Sequence, residues 1–478
     1  MKTINVIRAR FIIPFMIKDE AGYSELVHRL CDTESNWYPS QEGANPPFEK
    51  DLLESVQALI SDKDDTVYNT GRHFRLKAAN DAEILSALYN SPKGEELPFK
   101  ISDCGLFVFK SGTCFVWYEV GFENVSSDLF ISFVNEFKEL SYPRLARPDK
   151  NRQGKIPFCI NGAGLQMGDY LKDRILSDMA EYIEFFAKRE SPTNGSDIPD
   201  KSIAFIYSVY DQPGYEEDMY LYTNGFNSKY KVPSNIDELS YKPFDNVTCY
   251  MTANGCSYTA SFDESNQNFF TKTMKNKVMG DYFYMFILVL HQYYGIMNFN
   301  IRINSTLPAE FEKDRDLASP ESLLDTLNDI TMDINFFMSK NFFPSVSHIF
   351  HQNEFYYYLQ KRLNITQNLE YLTIGLDAMR QMDSAFIARK NDEKEKEAAL
   401  KEEKSKERLE IAFSALSVLT IFSAVADGDA TVDIIAGLIF HESSMPLARI
   451  LLLCGLGGIL LIVLVALLKT IIKYFKGE

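Results

Sequence analysis

A short basic segment is the part of the sequence best suited to bind an anion. It carries Arg144, Arg147, Lys150, Arg152 and Lys155. Five basic side chains against the single acidic Asp149 give this segment a net charge of +4, in a chain whose net charge is −17. Arginine forks match phosphate geometry, and the Asn161–Gly164 loop that follows offers backbone N–H groups. The segment predicts a site for a phosphate-bearing ligand such as a small nucleotide; a solvated basic loop is the alternative.

A second group of residues has the spacing of metal ligands on a helix. His348, His351 and Glu354 follow one another at intervals of three and would share one side of a helix. Phenylalanines and tyrosines crowd the same stretch, so a packed aromatic interface is the favoured interpretation. The sequence has no HExxH, GxSxG or CxxC motif, and we do not predict an enzyme.

The elements that position these residues belong to an α+β fold. Residues 1–275 predict a mixed α/β cytosolic domain that serves as a ligand sensor. Its strand candidates are Gly105–Phe109, Cys114–Val120, Ile203–Tyr210, Val247–Thr252 and Ser257–Phe262. Its helix candidates are Leu129–Leu140, with Ser127 or Asp128 as the predicted N-cap, and Gly168–Lys188. Asn254-Gly255 is a strong hairpin-turn dipeptide. The acidic balance of the whole chain argues against direct nucleic-acid binding.

Residues 276–408 predict a helical region that ends in a long stalk. Asp281–Asn298 is very apolar but contains polar side chains, which favours a buried helix. No proline occurs between Pro344 and Pro446, so one helix could run from Glu354 to Ala426, roughly 110 Å. Leu369, Leu372, Leu376 and Met379 mark one face of it. The charged stretch that follows has acid-then-base pairs at Glu397–Lys401 and Glu402–Lys406.

The C-terminal residues 409–478 predict a two-helix transmembrane hairpin. Its segments are residues 409–426 and 447–472, and the second has nineteen uncharged residues between Arg449 and Lys469. Eight basic residues lie within 389–408 and three at the C-terminal end, whereas the connector 427–446 has none. This distribution places both termini in the cytoplasm of a multi-pass inner-membrane protein. Amphipathic or buried soluble helices are the alternatives.

This order of elements resembles the CorA family of divalent-cation transporters, mainly over residues 320–478. The resemblance implies a homo-oligomer, a pentamer in that family, with one pore lined by the first membrane helix. The pore-lining positions would be Ser417, Thr420, Ala424 and Asp427, with Asp429, Asp433 and Glu442 in an outer acidic loop. Where the family has Gly-Met-Asn, this chain reads Ala426-Asp427-Gly428. The sequence therefore does not indicate that the transported cation is magnesium, the family's divalent cation.

The departure from the family motif leaves several functions open. One subset of CorA-like proteins is associated with type III CRISPR systems and resembles antiviral membrane effectors. These are activated by a nucleotide second messenger such as an S-adenosylmethionine–AMP conjugate. A non-conducting membrane-anchored scaffold is a third interpretation, and an anchored hydrolase with a metal at His348 and His351 is a fourth.

Overall fold

The fold rests on one large β-sheet covered by helices. The computed structural model describes residues 2–18, 22–40, 51–60, 70–77, 85–140, 158–160, 163–164, 167–186, 201–263, 265–306 and 320–439, with twelve helical residues between 450 and 469. Within these residues the sheet has thirteen strands. They are β1 (Thr3–Ile17), β2 (Trp37–Pro39), β3 (Gly71–Leu76), β4 (Leu85–Asn90), β5 (Glu96–Phe109), β6 (Thr113–Ser126), β7 (Phe158–Ile160), β8 (Ala163–Gly164), β9 (Ile183–Phe185), β10 (Ile203–Tyr210), β11 (Tyr241–Phe244), β12 (Val247–Thr252) and β13 (Gly255–Ser261).

The strand order confirms the predicted hairpins. It is β11-β12-β13-β10-β1-β6-β5-β4-β7-β8, with β3 also on β5, β2 on β3 and β9 on β1. The neighbours β5 and β6 pair antiparallel, as do β12 and β13. The turn between β12 and β13 is Ala253-Asn254, one residue before the predicted Asn254-Gly255, because Gly255 already pairs with Thr252. The one parallel pair in the described sheet joins β10 to β13. The predicted strand Ile203–Tyr210 is β10 and is buried throughout.

Helices lie on both sides of the sheet. The α-helices are α1 (Tyr23–Cys31), α2 (Glu54–Gln57), α3 (Ser127–Phe137), α4 (Met167–Tyr170), α5 (Glu216–Asn224), α6 (Ile236–Leu239), α7 (Lys275–Lys277), α8 (Phe283–Thr306), α9 (Pro320–Asn341), α10 (Phe350–Arg362) and α11 (Ile365–Ile439). Wider π-helical turns occupy Leu171–Ile175, Phe269–Met274 and Val278–Tyr282, and 3₁₀ turns occupy Ala58–Ile60 and Ser177–Met179.

Two hydrophobic cores, one on each face of the sheet, hold these layers together. Successive residues of β1 point to opposite faces, so Phe11 joins the core with α1, α3 and α5, while Ile12 joins the core with α8, α9 and α10. The predicted Asp281–Asn298 helix corresponds to α8, which is almost entirely buried in the second core. This burial explains its apolar composition without a membrane, as predicted.

Two local predictions are wrong. The helix expected over Gly168–Lys188 is a series of short turns that ends in strand β9, because Ile183–Phe185 pairs with Phe15–Ile17 of β1. Long-range strand pairing has overridden local helix propensity there. Helix α3 forms as expected, but its cap is Ser126, whose Oγ accepts from Leu129 N at 3.3 Å, and neither Ser127 nor Asp128.

The predicted stalk helix is broken once and is longer than expected. Helix α10 ends at Arg362 and α11 begins at Ile365, because Asn364 adopts a left-handed backbone with φ of 51°. Asparagine tolerates this conformation better than most residues. Leu372 and Leu376 are buried in the second core, which confirms the predicted apolar face. Helix α11 then continues past Ala426 to Ile439.

The chain forms two compact units, Met1–Arg380 and Gln381–Glu478. In the second unit, Lys406 Nζ lies 3.0 Å from Glu402 Oε1, which confirms one of the predicted ion pairs. The domain bounds at residues 275 and 408 stay predictions. Among the described residues, no helix has both the length and the apolar character that crossing a membrane requires. Residues 440–449 and half of the predicted second segment lie outside the described part of the chain.

Candidate functional site

The predicted basic segment cannot be placed. Arg144, Arg147, Lys150, Arg152 and Lys155 all lie outside the described residues, as do Asn161, Gly162 and Glu442. The rest of the predicted glycine loop, Ala163 and Gly164, forms strand β8, which pairs with β7. The phosphate site at residues 144–155 stays a prediction.

The predicted pore face lies on helix α11. Ser417 Oγ donates to Phe413 O at 2.8 Å, and Thr420 Oγ1 donates to Leu416 O at 2.6 Å. The proton of each hydroxyl is therefore hydrogen-bonded within the helix, and an oxygen lone pair stays available to accept a further hydrogen bond. Intrahelical bonding of this kind is common for serine and threonine in helices, and it leaves a role in a polar path open.

The acidic residues beyond this face also lie in α11. The helix contains Ala424, Asp427, Asp429 and Asp433, whose side chains are outside the described part. The connector expected as a loop from residue 427 is therefore helical as far as Ile439. Asp427 follows Ser417 and Thr420 along one face, whereas Asp429 lies about 200° around the helix from Asp427.

His351, one of the three candidate metal ligands, packs against aromatic rings. The His351 ring centroid lies 5.3 Å from that of Phe244 and 6.4 Å from that of Tyr282. Burial, reinforced by the charge of Lys277, lowers the pKa of His351. No group of three His, Cys, Asp or Glu side chains in the described residues is arranged to hold a metal ion. The ring packing supports an aromatic interface at this position.

A cleft that the sequence did not reveal lies between the β5–β6 turn and helices α8 and α9. Its empty space, including the open mouth, is about 440 Å³. It is lined by Thr70, Lys110, Ser111, His291, Phe299, Arg302, Asp333, Phe336, Phe337 and Asn341. Ionic, polar and aromatic side chains thus converge on one small space, as is common in ligand sites.

His291 forms the deepest polar part of the cleft. Its ring stacks on Phe109 with centroids 3.7 Å apart, and its Nε2 lies 2.8 Å from Ser111 Oγ. Its Nδ1 has no hydrogen-bond partner in the described structure, nor does Asn298 Oδ1 nearby. Burial lowers the pKa of His291 to about 3, so the imidazole stays neutral at physiological pH. It can offer a hydrogen bond there without carrying charge.

The mouth of the cleft carries the charges. Arg302 Nη2 lies 2.9 Å from Asp333 Oδ2, and both side chains are partly exposed. Lys110 is exposed and has no ion-pair partner among the described residues. With Lys110 and Arg302 against Asp333, the lining has a net charge of +1. Such a mouth favours a ligand with one negative group.

Parts of this cleft belong to separate elements that the sequence predicts. Lys110, Ser111 and Gly112 lie between the predicted strands Gly105–Phe109 and Cys114–Val120, and His291 lies within the predicted Asp281–Asn298 helix. Their contact joins residues 180 positions apart. A single sequence carries no signal for a contact of that range.

Comparison of the sequence and the fold with known proteins identifies no relative of this chain. No protein-family profile, no curated protein and no solved structure matches the chain. The CorA-like interpretation therefore rests on the order of elements and on the residues described above.

Proposed function

We propose that this chain is a CorA-like oligomeric membrane cation channel or transporter gated by its large cytosolic part. The observation that carries the proposal is the row of exposed apolar side chains on α11 after the charged stretch. Phe413, Leu416 and Leu419 are 64%, 61% and 68% exposed in the single chain. Further exposed apolar residues follow at Ile450, Leu451, Ile459, Leu461, Ile462 and Val465. Apolar surface of this extent calls for lipid or other copies of the chain to cover it.

The secondary structure of this region suits lipid. Residues 409–439 of α11 have helical backbone and would reach about 46 Å, longer than a bilayer core of about 30 Å. A helix satisfies its own backbone hydrogen bonds, which a membrane demands. The hydroxyls of Ser417 and Thr420 donate to carbonyls of the same helix, which lowers the free-energy cost of placing these two side chains in lipid. Residues 447–472 would supply the second membrane helix of the hairpin.

The proposed pore lies along the face of Ser417, Thr420, Ala424 and Asp427. In an oligomer, hydroxyl oxygens and a ring of Asp427 carboxylates would line a path that favours cations. The chain lacks Gly-Met-Asn, so the proposal is for cations in general and does not specify magnesium. Gating would require a ligand of the cytosolic part to bind the open and closed states unequally. Helix α11, which runs from Ile365 to Ile439, would carry that change.

Replacing Asp427 by asparagine is the direct test of the pore assignment. We expect Asp427→Asn to reduce the preference for cations over anions in proteoliposome flux and bilayer recordings, since the ring would lose its charge. Asp429→Asn is the matched control: it removes the same charge about 200° around the helix and should leave selectivity unchanged. Equal selectivity for Asp427→Asn and the unchanged chain would remove Asp427 from the filter.

The alternatives predict different results in the same preparation. A nucleotide-activated antiviral effector would conduct only with its messenger, and reversing the charges of Arg144, Arg147 and Arg152 would abolish nucleotide binding. A membrane-anchored scaffold would show no ion flux with any ligand. An anchored hydrolase would retain a metal at His348 and His351, which elemental analysis detects.

A further inference from the structure

We propose that the cleft around His291 binds a small planar anion, an aromatic ring that carries one carboxylate or phosphate group. This site would serve as the sensor that the proposed function requires. The inference depends on that function only for the consequence of binding, because binding can be measured without any ion flux.

The anionic group is assigned to the mouth of the cleft. The Lys110 ammonium lies on the β5–β6 turn, is exposed and has no ion-pair partner among the described residues. Arg302 is the second cation of the mouth, and its Nη2 lies 2.9 Å from Asp333 Oδ2, which fixes the position of the guanidinium. Asp333 limits the excess positive charge to one, which favours a ligand with a single anionic group over a polyphosphate.

The planar ring is assigned to the aromatic wall beside that mouth. The Phe336 side chain lies on the exposed face of α9 and is 50% exposed, whereas Ile334 and Phe337 of the same helix are buried. A flat ligand would cover it and gain the offset contact that aromatic pairs prefer. Phe299 and Phe337, both buried, form the apolar floor.

At its inner end the cleft offers uncharged side chains that can hydrogen-bond to a ligand. His291 Nε2 contacts the Ser111 hydroxyl, and its Nδ1 has no partner in the described structure. Thr70 Oγ1 donates to Asn341 Oδ1 over a long 3.4 Å, a bond that leaves the hydroxyl oxygen free to accept. His291 Nδ1 has almost no solvent-accessible surface, so it is not offered to a ligand. A polar ring substituent would instead meet the Ser111 and Thr70 hydroxyls, which line this end of the cleft.

Fluorine NMR on the full-length protein in detergent tests the site. The probes are 4-fluorobenzoate and 4-fluorophenyl phosphate, with neutral 4-fluorobenzamide for comparison. We expect one or both anions to broaden in the presence of protein and the amide to broaden much less. The stronger anion tells whether the site takes a carboxylate or a phosphate. Equal broadening of the amide, or none for either anion, would overturn the proposal.

Two pairs of variants locate the binding. Lys110→Gln should weaken the preferred anion about threefold to fivefold, the scale of one exposed ion pair, while Lys272→Gln, another exposed lysine, should not. Phe336→Ala should weaken it similarly, while Phe244→Ala, also a half-exposed ring, should not. All four positions are at the surface, so the variants should fold. Unchanged binding in both cleft variants would place the anion elsewhere, and ion flux would remain a separate question.

Discussion

Gly255→Ala is expected to lower the free energy of unfolding by about 3 kcal/mol, the upper range for an added methyl without space. Gly255 opens strand β13 directly after the hairpin turn. A Cβ atom at this position would lie 2.6 Å from Ala204 O and 2.6 Å from Thr223 O. Both contacts are backbone oxygens, so β10 and the end of α5 would have to move together. No rotation of a side chain could relieve them.

Thermal unfolding of the purified chain in detergent measures this effect. We expect the midpoint of Gly255→Ala to fall by about 6 °C, given about 2 °C for each kcal/mol in a large domain. Gly22→Ala is the matched control, because its Cβ would meet no atom within 4 Å. An unfolding midpoint for Gly255→Ala equal to that of Gly22→Ala would show that β13 is not held against β10 as described.

Arg10→Met is expected to destabilise the chain by about 3 kcal/mol, the low end for removing one partner of a buried ion pair. The Arg10 guanidinium lies between the rings of Trp117 and Phe283, 4.2 Å and 4.3 Å from their centroids. Its Nε lies 2.8 Å from Glu119 Oε2, and the two side chains are only 10% and 16% exposed. The variant would leave a largely buried carboxylate without this cation, although methionine would fill part of the space.

A double variant separates charge from packing. Arg10→Met combined with Glu119→Gln should recover much of the lost stability in the same thermal unfolding assay, because no buried charge remains unpaired. Lys242→Met is the surface control, since Lys242 pairs with Asp237 at 2.8 Å with side chains 45% and 70% exposed. We expect that control to change stability by about 0.5 kcal/mol or less. A loss in Arg10→Met no larger than in the control would contradict the buried pair.

Local patterns in the sequence predicted the elements that depend on neighbouring residues. The β12–β13 hairpin, the β5–β6 hairpin and the apolar face at Leu372 and Leu376 are all in the structure, with the first turn one residue earlier than predicted. Each of these follows from side-chain period or turn chemistry within about ten residues. The charged stretch likewise shows its Glu402–Lys406 pair.

Features that depend on distant residues could not be predicted in this way. Strand β9 replaces a predicted helix because it pairs with β1, more than 160 positions earlier. The stalk is interrupted at Asn364 although no proline or glycine marks the break. The cleft joins the Ser111 turn to His291 and to helix α9, three separate parts of the chain. In each case tertiary packing selects a conformation that local propensity does not specify.

Alkaline carbonate extraction of membranes that contain the full-length chain tests the proposal that the residues after Leu409 lie in lipid. We expect the chain to stay in the membrane pellet after extraction and to float with lipid in a density gradient. Chain released into the supernatant, and monodisperse in buffer without detergent, would contradict it.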